Sequence, residues 1–311
     1  MNFLVAGDFF IDKYIYGSCN RLSPEQPVPI LNYSKTETNL GGAGNVYNNL
    51  KETSINTFPF TIISNDHLSK EILKRIDKKK RDFVLSTSEI KTISKVRVQS
   101  ANHQLVRIDY EEINHKLSDK YFKLIMNKFS KTNIKFNFII MSDYGKGFFK
   151  KNNIKTLLGF AKKKKIPTLI DPRKNFNTYE FYKGIDYITP NMNELNCIFP
   201  GIKNNDFEIE NACKNLKKKY NLNNIIVTRG ERGITFFNKK PIHIRSKKVD
   251  VFDVSGAGDT FVATFVYCIS NKIDVVKSLK VANNCATHIV TLRGTQPIKK
   301  DKLLNIIKTT T

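Results

Sequence analysis

The sequence predicts an α/β protein with a doubly wound, mainly parallel sheet, in a chain long enough for one large domain or two ordinary ones. Two observations carry this prediction. Hydrophobic residues make up 40% of the 311 residues, which is enough for a large core. After Leu117, short apolar runs typical of buried strands alternate with helical patterns.

The first third of the chain predicts one strand of the main sheet and a separate small β-layer. Residues 3–7 form a short buried-strand run, and residues 14–33 are extended because three prolines disfavour helix. A glycine-rich run at 41–45 precedes a helical stretch through Leu50. Residues 95–99 and 104–108 then predict two strands around a polar turn at 100–103.

The remainder predicts the alternating part of the sheet. Strands are expected at 136–141, 167–171, 185–189 and 225–228, with a helix whose Leu157, Leu158 and Ala161 face inward. Ligands bind beyond the carboxyl ends of the strands in such sheets. The polar residues at those ends therefore predict a site: Asp8, Ser142, Asp143, Asp171, Asn191, Thr228, Arg229 and Gly230.

Composition narrows the class of protein. The formal net charge of +24 comes from 42 lysines and only 10 arginines, and the lysine runs flank helical patterns as a solvated face would. This favours a basic surface that attracts anionic metabolites over a nucleic-acid reader, which is kept as an alternative. Five scattered cysteines without a CxxC pair argue against disulfides and zinc. With no membrane span or leader pattern, a cytoplasmic protein is expected.

The segment Asp253-Val254-Ser255-Gly256-Ala257-Gly258-Asp259-Thr260 is the most informative one for chemistry. Two glycines at the start of a helix let backbone N–H groups face an anion, which the helix dipole also favours. A carboxylate at Asp259 could accept the proton of a hydroxyl that approaches a bound phosphate. The alternative is a tightly packed helix start with Asp259 as an ordinary first-turn acid.

Two further groups support phosphoryl transfer to a sugar. Asp12 and the glycine-rich run that ends at Asn45 suit vicinal hydroxyls, which need acceptors and donors at close range. Glu194, three residues after Asn191, is either a helix-capping acid or a carboxylate near metal-bound triphosphate. A P-loop, a protein-kinase motif set and a GxGxxG after the first strand are absent from the sequence.

The glycine-rich run at 41–45 and the segment at 253–260 resemble the two signatures of the ribokinase-like (PfkB) carbohydrate kinases. The motifs Ser-Pro-Glu-x-Pro-Val-Pro at 23–29 and Ser-Asp-Tyr-x-Lys-Gly at 142–147 resemble the bacterial heptose 7-phosphate kinase branch. The resemblance implies a single domain over residues 1–311 with a three-layer αβα fold. It also implies a β-strand lid from about 12–36 and 88–110, which clasps a second subunit in a homodimer.

The resemblance also implies an activity, which is ATP- and Mg²⁺-dependent phosphorylation of O1 of D-glycero-β-D-manno-heptose 7-phosphate. The product, a 1,7-bisphosphate, would serve nucleotide-activated heptose synthesis for surface polysaccharide. Other PfkB-type acceptors, namely a pentose, a hexose phosphate or a nucleoside, remain alternatives. The resemblance further implies a stand-alone kinase, since the HxGH-type motif of a fused nucleotidyltransferase is absent from the sequence.

Site residues follow from the resemblance by position. It implies Asp259 as the base, with Gly256, Ala257 and Gly258 as the anion hole; Asn191, Met192, Asn193, Glu194, Thr228 and Gly230 for ATP; Glu194 for Mg²⁺ through water; Asp253 and Ser255 for a monovalent cation such as K⁺; and Asp12, Gly41, Gly42 and Asn45 for the sugar.

The cation that binds the phosphate of the acceptor is not identified by the resemblance. A dianion on the substrate should meet at least one Arg or Lys. Lys146, Arg107 and Arg21 are the candidates, because they lie on loop or lid segments that face the strand ends. The pair Lys174-Asn175 departs from the Lys/Arg-Gly pair that is familiar in the family.

Overall fold

A computed structural model describes residues 1–101, 103–111, 117, 119–173 and 178–311 of the chain. Asn102 of the predicted turn and the Lys174-Asn175 pair lie outside the described residues. The strands are β1 Asn2–Gly7, β2 Phe9–Ser18, β3 Asn32–Gly42, β4 Asn56–Ser64, β5 Val84–Thr87, β6 Ser94–Ser100, β7 His103–Tyr110, β8 Phe138–Ser142, β9 Thr168–Asp171, β10 Tyr187–Ile188, β11 Asn224–Thr228, β12 Ile234–Phe237 and β13 Pro241–Ile244. The helices are α1 Ala43–Glu52, α2 His67–Arg75, α3 Asp119–Ser130, α4 Lys151–Lys164, α5 Met192–Ile198, α6 Asp206–Tyr220, α7 Ala257–Ser270, α8 Val275–Ile289 and α9 Lys300–Thr309.

The large sheet has the order β13-β12-β11-β10-β9-β8-β1-β4-β5. Every pairing from β5 to β11 is parallel, and the terminal hairpin β12–β13 joins β11 antiparallel. The predicted strands at 3–7, 136–141, 167–171, 185–189 and 225–228 all lie in this sheet. The sequence did not single out β4 or the β12–β13 hairpin.

Alternate residues of the central strand enter different hydrophobic clusters. Leu4 and Ala6 of β1 belong to the cluster that also contains buried residues of α3, α4 and α6. Phe3 and Val5 belong to the cluster that contains buried residues of α1, α7 and α8. Because neighbouring side chains of a strand point to opposite faces, the sheet is covered by helices on both sides, which confirms the doubly wound, three-layer arrangement.

A second sheet, of order β3-β2-β6-β7, carries the segments expected to form a separate β-layer. It begins directly after β1, since Asp8 alone separates β1 from β2, and it returns to the main sheet where β3 leads into α1. The predicted strands at 95–99 and 104–108 correspond to β6 and β7. Residues 14–33 are strand only in part, because β2 ends at Ser18 and β3 begins at Asn32. A lid function for this sheet stays a prediction.

Arg229 lies at a strand end but points away from solvent. Its side chain is fully buried and donates hydrogen bonds to Asn204 Oδ1 at 2.8 Å, Asp206 Oδ1 at 2.6 Å and Thr235 Oγ1 at 2.9 Å. It therefore ties the start of α6 to β11 and β12. Burying a guanidinium is costly unless it is paired, so this network is a structural element rather than a ligand contact.

We predict that Arg229→Met lowers the free energy of unfolding by about 3 kcal/mol, because Asp206 and the polar atoms around it lose their buried donor. Urea denaturation followed by circular dichroism measures the change. Arg232→Met is the control: Arg232 is exposed and donates to the same segment, at Asn204 O, so its loss should stay within about 0.5 kcal/mol. Equal stability of Arg229→Met and the wild type would contradict the structural role.

Candidate active site

An open cleft at the carboxyl ends of the parallel strands brings together nine of the residues that sequence reasoning singled out. It is lined by Lys95, Asp143, Tyr144, Gly145, Lys146, Asp171, Pro172, Arg173, Thr189, Asn191, Glu194, Thr228, Val254, Gly256, Gly258, Asp259, Phe261 and Val262. The lining comes from the loops after β8, β9, β10 and β11, from the start of α7 and, through Lys95, from the second sheet.

Asp259 lies in the first turn of α7, and its carboxylate is held from two sides. Asn45 Nδ2 donates to Oδ2 at 2.8 Å, and the Tyr144 hydroxyl donates to Oδ1 at 2.8 Å. The residue is only 5% exposed, yet it lines the cleft. It is therefore a positioned carboxylate at a cavity wall and not a solvent-facing helix acid.

The environment of Asp259 moves its pKa to about 7. Burial is the largest cause, since it disfavours the charged form, and the nearby acids Asp171 and Asp12 raise the pKa further. The hydrogen bonds from Asn45 and Tyr144 act in the opposite direction. A group with a pKa near neutrality is suited to accept a proton and release it again.

The turn before α7 borders the cleft with Gly256 and Gly258, while the Ala257 amide donates to Val254 O at 3.4 Å. Gly256 has φ 81°, and a Cβ on it would lie 2.6 Å from Asn45 Nδ2, so only glycine fits there. A Cβ on Gly258 would meet nothing within 4 Å, because that side faces the open cleft. The N–H groups of a first helical turn lack intrahelical partners and carry the positive end of the dipole, so this turn is suited to bind an anion.

The loop after β8 places Tyr144 and Lys146 in the cleft. Asp143 Oδ1 accepts from Gly145 N at 3.0 Å, and the Asp8 carboxylate accepts from Lys146 N at 3.1 Å and Phe148 N at 3.0 Å. Burial and the charge of Asp8 raise the pKa of Asp143 to about 7, although Arg173 opposes the shift. Two buried carboxylates thus fix the backbone of this loop.

The residues predicted to bind the sugar lie near Asp259, since Asn45 donates to it directly. Asp12 is buried on β2 and accepts from Arg97 Nη1 at 2.5 Å. A Cβ on Gly41 would lie 2.5 Å from Asp12 Oδ2, and one on Gly42 would collide with the Phe10 ring. The glycines therefore let β3 pass close to these side chains. The pairing of Asp12 with Arg97 was not foreseen, because nothing local links positions 12 and 97.

The Asn191–Glu194 segment begins α5 with a capping box. Asn191 Oδ1 accepts from Glu194 N at 3.0 Å, and Glu194 Oε2 accepts from Asn191 N at 2.8 Å. Both side chains also line the cleft, next to Thr228, whose backbone pairs with this segment. The capping role foreseen for Glu194 is present, and its carboxylate still borders the cavity.

The acids at this end of the cleft fit a divalent cation. Burial and the charge of Glu194 raise the pKa of Asp171, so the two carboxyl groups repel each other when both are ionised. A dication would relieve that repulsion. Within the described residues no group of three or more His, Cys, Asp or Glu side chains is arranged to hold a metal. Mg²⁺ usually keeps several waters and substrate phosphates as ligands, so one or two carboxylates can hold it.

Several predicted residues are not among those that line the cleft. Arg107 is half-exposed on β7, where its guanidinium pairs with Asp109 at two distances of 2.8 Å. Asp253 Oδ1 accepts from Ser255 N at 2.8 Å within its own loop. The lining also does not include the predicted residues Arg21, Met192, Asn193, Gly230, Ser255, Ala257, Asp12, Gly41, Gly42 and Asn45.

Sequence reasoning missed two side chains that complete the site. Tyr144 was part of a recognised motif but had no role assigned, and its hydrogen bond to Asp259 joins residues that are 115 positions apart. Lys95 was placed in a strand, with no signal that it reaches the cleft. Both depend on how the second sheet and the β8 loop meet α7.

No helix in the described part of the chain is long and apolar enough to cross a membrane. In fold, the chain is similar to ribokinase of Arabidopsis thaliana complexed with ribose and ATP, with a TM-score of 0.74 at 18% identity over 99% of each chain. It is also similar to phosphofructokinase-2 of Escherichia coli in complex with potassium, with a TM-score of 0.77 at 13% identity over 99% of this chain and 98% of that one. These similarities identify the ribokinase-like fold.

In sequence, the chain is 32% identical over 293 residues to the bifunctional protein HldE of Campylobacter fetus, which covers 93% of this chain and 63% of that protein. It is 32% identical over 308 residues to the bifunctional protein HldE of Actinobacillus pleuropneumoniae, which covers 98% of this chain and again 63% of the relative. The chain thus spans just under two thirds of the length of these curated relatives.

The profile of the pfkB family carbohydrate kinases matches residues 12–302, nearly the whole chain. The match includes the glycine-rich run beside Asp12, the buried carboxylate of Asp259 and the amides that precede it. The chain belongs to the pfkB family of carbohydrate kinases and is a phosphotransferase with an alcohol group as acceptor.

Proposed function

We propose that the protein transfers the γ-phosphoryl group of ATP to O1 of D-glycero-β-D-manno-heptose 7-phosphate. The observation that carries the transfer chemistry is the Asp259 carboxylate, held by Asn45 and Tyr144 beside the amides of the α7 turn. The acceptor is supported by the motifs at 23–29 and 142–147, which resemble the heptose branch, and by the similarity to the HldE proteins. The product would feed the synthesis of nucleotide-activated heptose.

In the proposed reaction Asp259 accepts the proton of the O1 hydroxyl as that oxygen attacks the γ-phosphorus. The bond from the γ-phosphorus to the β–γ bridging oxygen breaks, and ADP leaves with the bond electrons. The amides at Gly256, Ala257 and Gly258 stabilise the negative charge of the phosphoryl group in transfer, because they are preorganised donors at a helix N-terminus. Asn45 and Tyr144 keep the carboxylate aimed into the cleft.

The other end of the cleft is proposed to hold the nucleotide. Asn191, Glu194 and Thr228 line it, with Met192, Asn193 and Gly230 on the adjoining backbone. Glu194 and Asp171 would hold Mg²⁺, partly through water, and Mg²⁺ would supply charge neutralisation for the phosphate oxygens. A monovalent cation such as K⁺ at Asp253 and Ser255, and a homodimer through the second sheet, stay predictions.

A panel of acceptors tests the proposal. With ATP and Mg²⁺, we expect kcat/KM to be highest for D-glycero-β-D-manno-heptose 7-phosphate in a panel that also contains ribose, fructose 6-phosphate and adenosine. Coupled detection of ADP gives the rates, and phosphorus NMR of the product identifies the position that is phosphorylated. A preference for any of the other three acceptors would overturn the heptose assignment.

We predict that Asp259→Asn lowers kcat by about 10²- to 10⁴-fold, because the proton acceptor is lost while the shape of the side chain remains. The dissociation constant for ATP, measured by titration calorimetry, should change by less than about threefold, since the amides are intact. Asp301→Asn is the matched control, because Asp301 is likewise an acid in a first helical turn but is exposed. Near-wild-type turnover of Asp259→Asn would contradict the role of the base.

We predict that turnover falls below about pH 7, because Asp259 must be ionised to accept a proton and its pKa is about 7. The hydrogen bond from Tyr144 lowers that pKa, so Tyr144→Phe should move the acidic limb of the kcat/KM profile to higher pH. Tyr182→Phe is the control, because the Tyr182 hydroxyl donates to Asp143 instead, at 3.0 Å. An acidic limb that stays in place in Tyr144→Phe, or moves equally in both variants, would count against this arrangement.

A further inference from the structure

We propose that Lys95 and Lys146 together bind a phosphate group carried by the acceptor, and that the Glu111 carboxylate occupies this position when no acceptor is bound. The inference rests on the proposed function, since it assigns the acceptor end of the same cleft. It differs from the sequence-based expectation, which named Lys146 among three unconnected candidates and did not include Lys95 or Glu111.

The two ammonium groups converge on one carboxylate. Lys146 Nζ donates to Glu111 Oε2, and Lys95 Nζ lies 3.4 Å from Glu111 Oε1. The three side chains are only 16%, 18% and 20% exposed, so the cluster is set back from bulk solvent. Burial raises the pKa of Glu111, but the hydrogen bond and charge of Lys146 together with Lys95 lower it overall. The cluster is thus two cations on one ionised acid, with a net charge of +1.

The cluster lies on the acceptor side of Asp259. Lys95 on β6 is the register partner of Asp12 on β2, and both lysines line the cleft. Lys95 Nζ lies 5.3 Å from the centre of the Phe10 ring, which meets the Tyr144 ring edge-on at 5.4 Å. Tyr144 in turn donates to Asp259. One pair of aromatic rings therefore lies between Lys95 and Asp259.

The distribution of charge in the cleft favours the Lys95–Lys146 pair as the place where a phosphate binds. The remaining wall carries the acids Asp143, Asp171, Glu194 and Asp259, which would repel a dianion. Arg173, the third cation among the described residues of the lining, is paired with the buried Asp143 carboxyl group, whose Oδ2 lies 3.6 Å from its Nε. The lysine pair shares a single carboxylate, so a positive charge remains for an anionic substrate.

A carboxylate between two ammonium groups resembles a phosphate in charge and in acceptor geometry. A phosphate dianion would accept charge-assisted hydrogen bonds from both lysines and bring the pair to neutrality, whereas Glu111 leaves it at +1. Glu111 follows directly after β7. We expect it to be displaced when the acceptor binds, so it competes with the substrate phosphate and weakens binding.

The test compares an acceptor with the same sugar lacking its phosphate. Dissociation constants for D-glycero-β-D-manno-heptose 7-phosphate and for the unphosphorylated heptose are measured by titration calorimetry without ATP, and KM and kcat are measured with ATP. The proteins are the wild type, Lys95→Gln, Lys146→Gln and Glu111→Gln. Lys13→Gln is the control, because Lys13 lies on the same strand pair but alternates with Asp12 and so points to the other face.

We expect each lysine variant to weaken binding of the phosphorylated sugar by about 10- to 100-fold and to leave the unphosphorylated sugar unchanged, which corresponds to one charged hydrogen bond. Glu111→Gln should tighten binding of the phosphorylated sugar, and Lys13→Gln should match the wild type. Equal losses for both sugars in the lysine variants, or weaker binding of the phosphorylated sugar to Glu111→Gln, would overturn the inference.

The same experiments distinguish failure of the lysine-site inference from failure of the heptose assignment. If the wild type prefers fructose 6-phosphate, the heptose assignment fails, and the same comparison is made with fructose 6-phosphate and fructose. A lysine effect confined to that phosphorylated sugar then supports the inference. If the wild type binds unphosphorylated sugars as tightly as their phosphates, the lysine site is refuted while a carbohydrate kinase activity stands.

Discussion

The two hydrogen bonds to the Asp259 carboxylate are the constraint on which the rest of the site depends. They join the start of α7 to α1 through Asn45 and to the β8 loop through Tyr144. Burial of a carboxylate is unfavourable unless its oxygens are paired, so all three segments must meet in one geometry. Gly256 is part of the same constraint, because a side chain there would displace Asn45. The candidate base and the anion-binding turn are thus positioned by one set of contacts.

Acidic and basic groups lie in different parts of the cleft. Acidic side chains lie where the parallel strands end, beside the segment that begins α5, and they suit a cation that accompanies a polyphosphate. Positive charge is concentrated at the amides of the α7 turn and at the lysine pair near the second sheet. The lysine end of the cleft therefore attracts an anionic group directly, whereas the acidic end attracts a cation.

Asp8 connects the two sheets to this cleft. It is the single residue between β1 and β2, and its buried carboxylate accepts from two backbone amides of the loop that carries Tyr144 and Lys146. Burial raises the pKa of Asp8, while those two hydrogen bonds lower it. The departure of the second sheet from the main sheet and the position of the β8 loop are therefore determined by the same side chain.

Local patterns in the sequence were sufficient for five strands of the parallel sheet, the separate strands predicted at 95–99 and 104–108, and the glycine turn before Asp259, because strand burial, proline and glycine act over a few residues. They also indicated half of the residues that line the cleft, since carboxyl ends of parallel strands share one edge. Only the tertiary structure paired Asp12 with Arg97, brought Tyr144 to Asp259, set Lys95 beside Lys146, and turned Arg229 inward. These contacts join positions between 20 and 120 residues apart or choose between two sides of one strand end, and no local periodicity encodes such a choice.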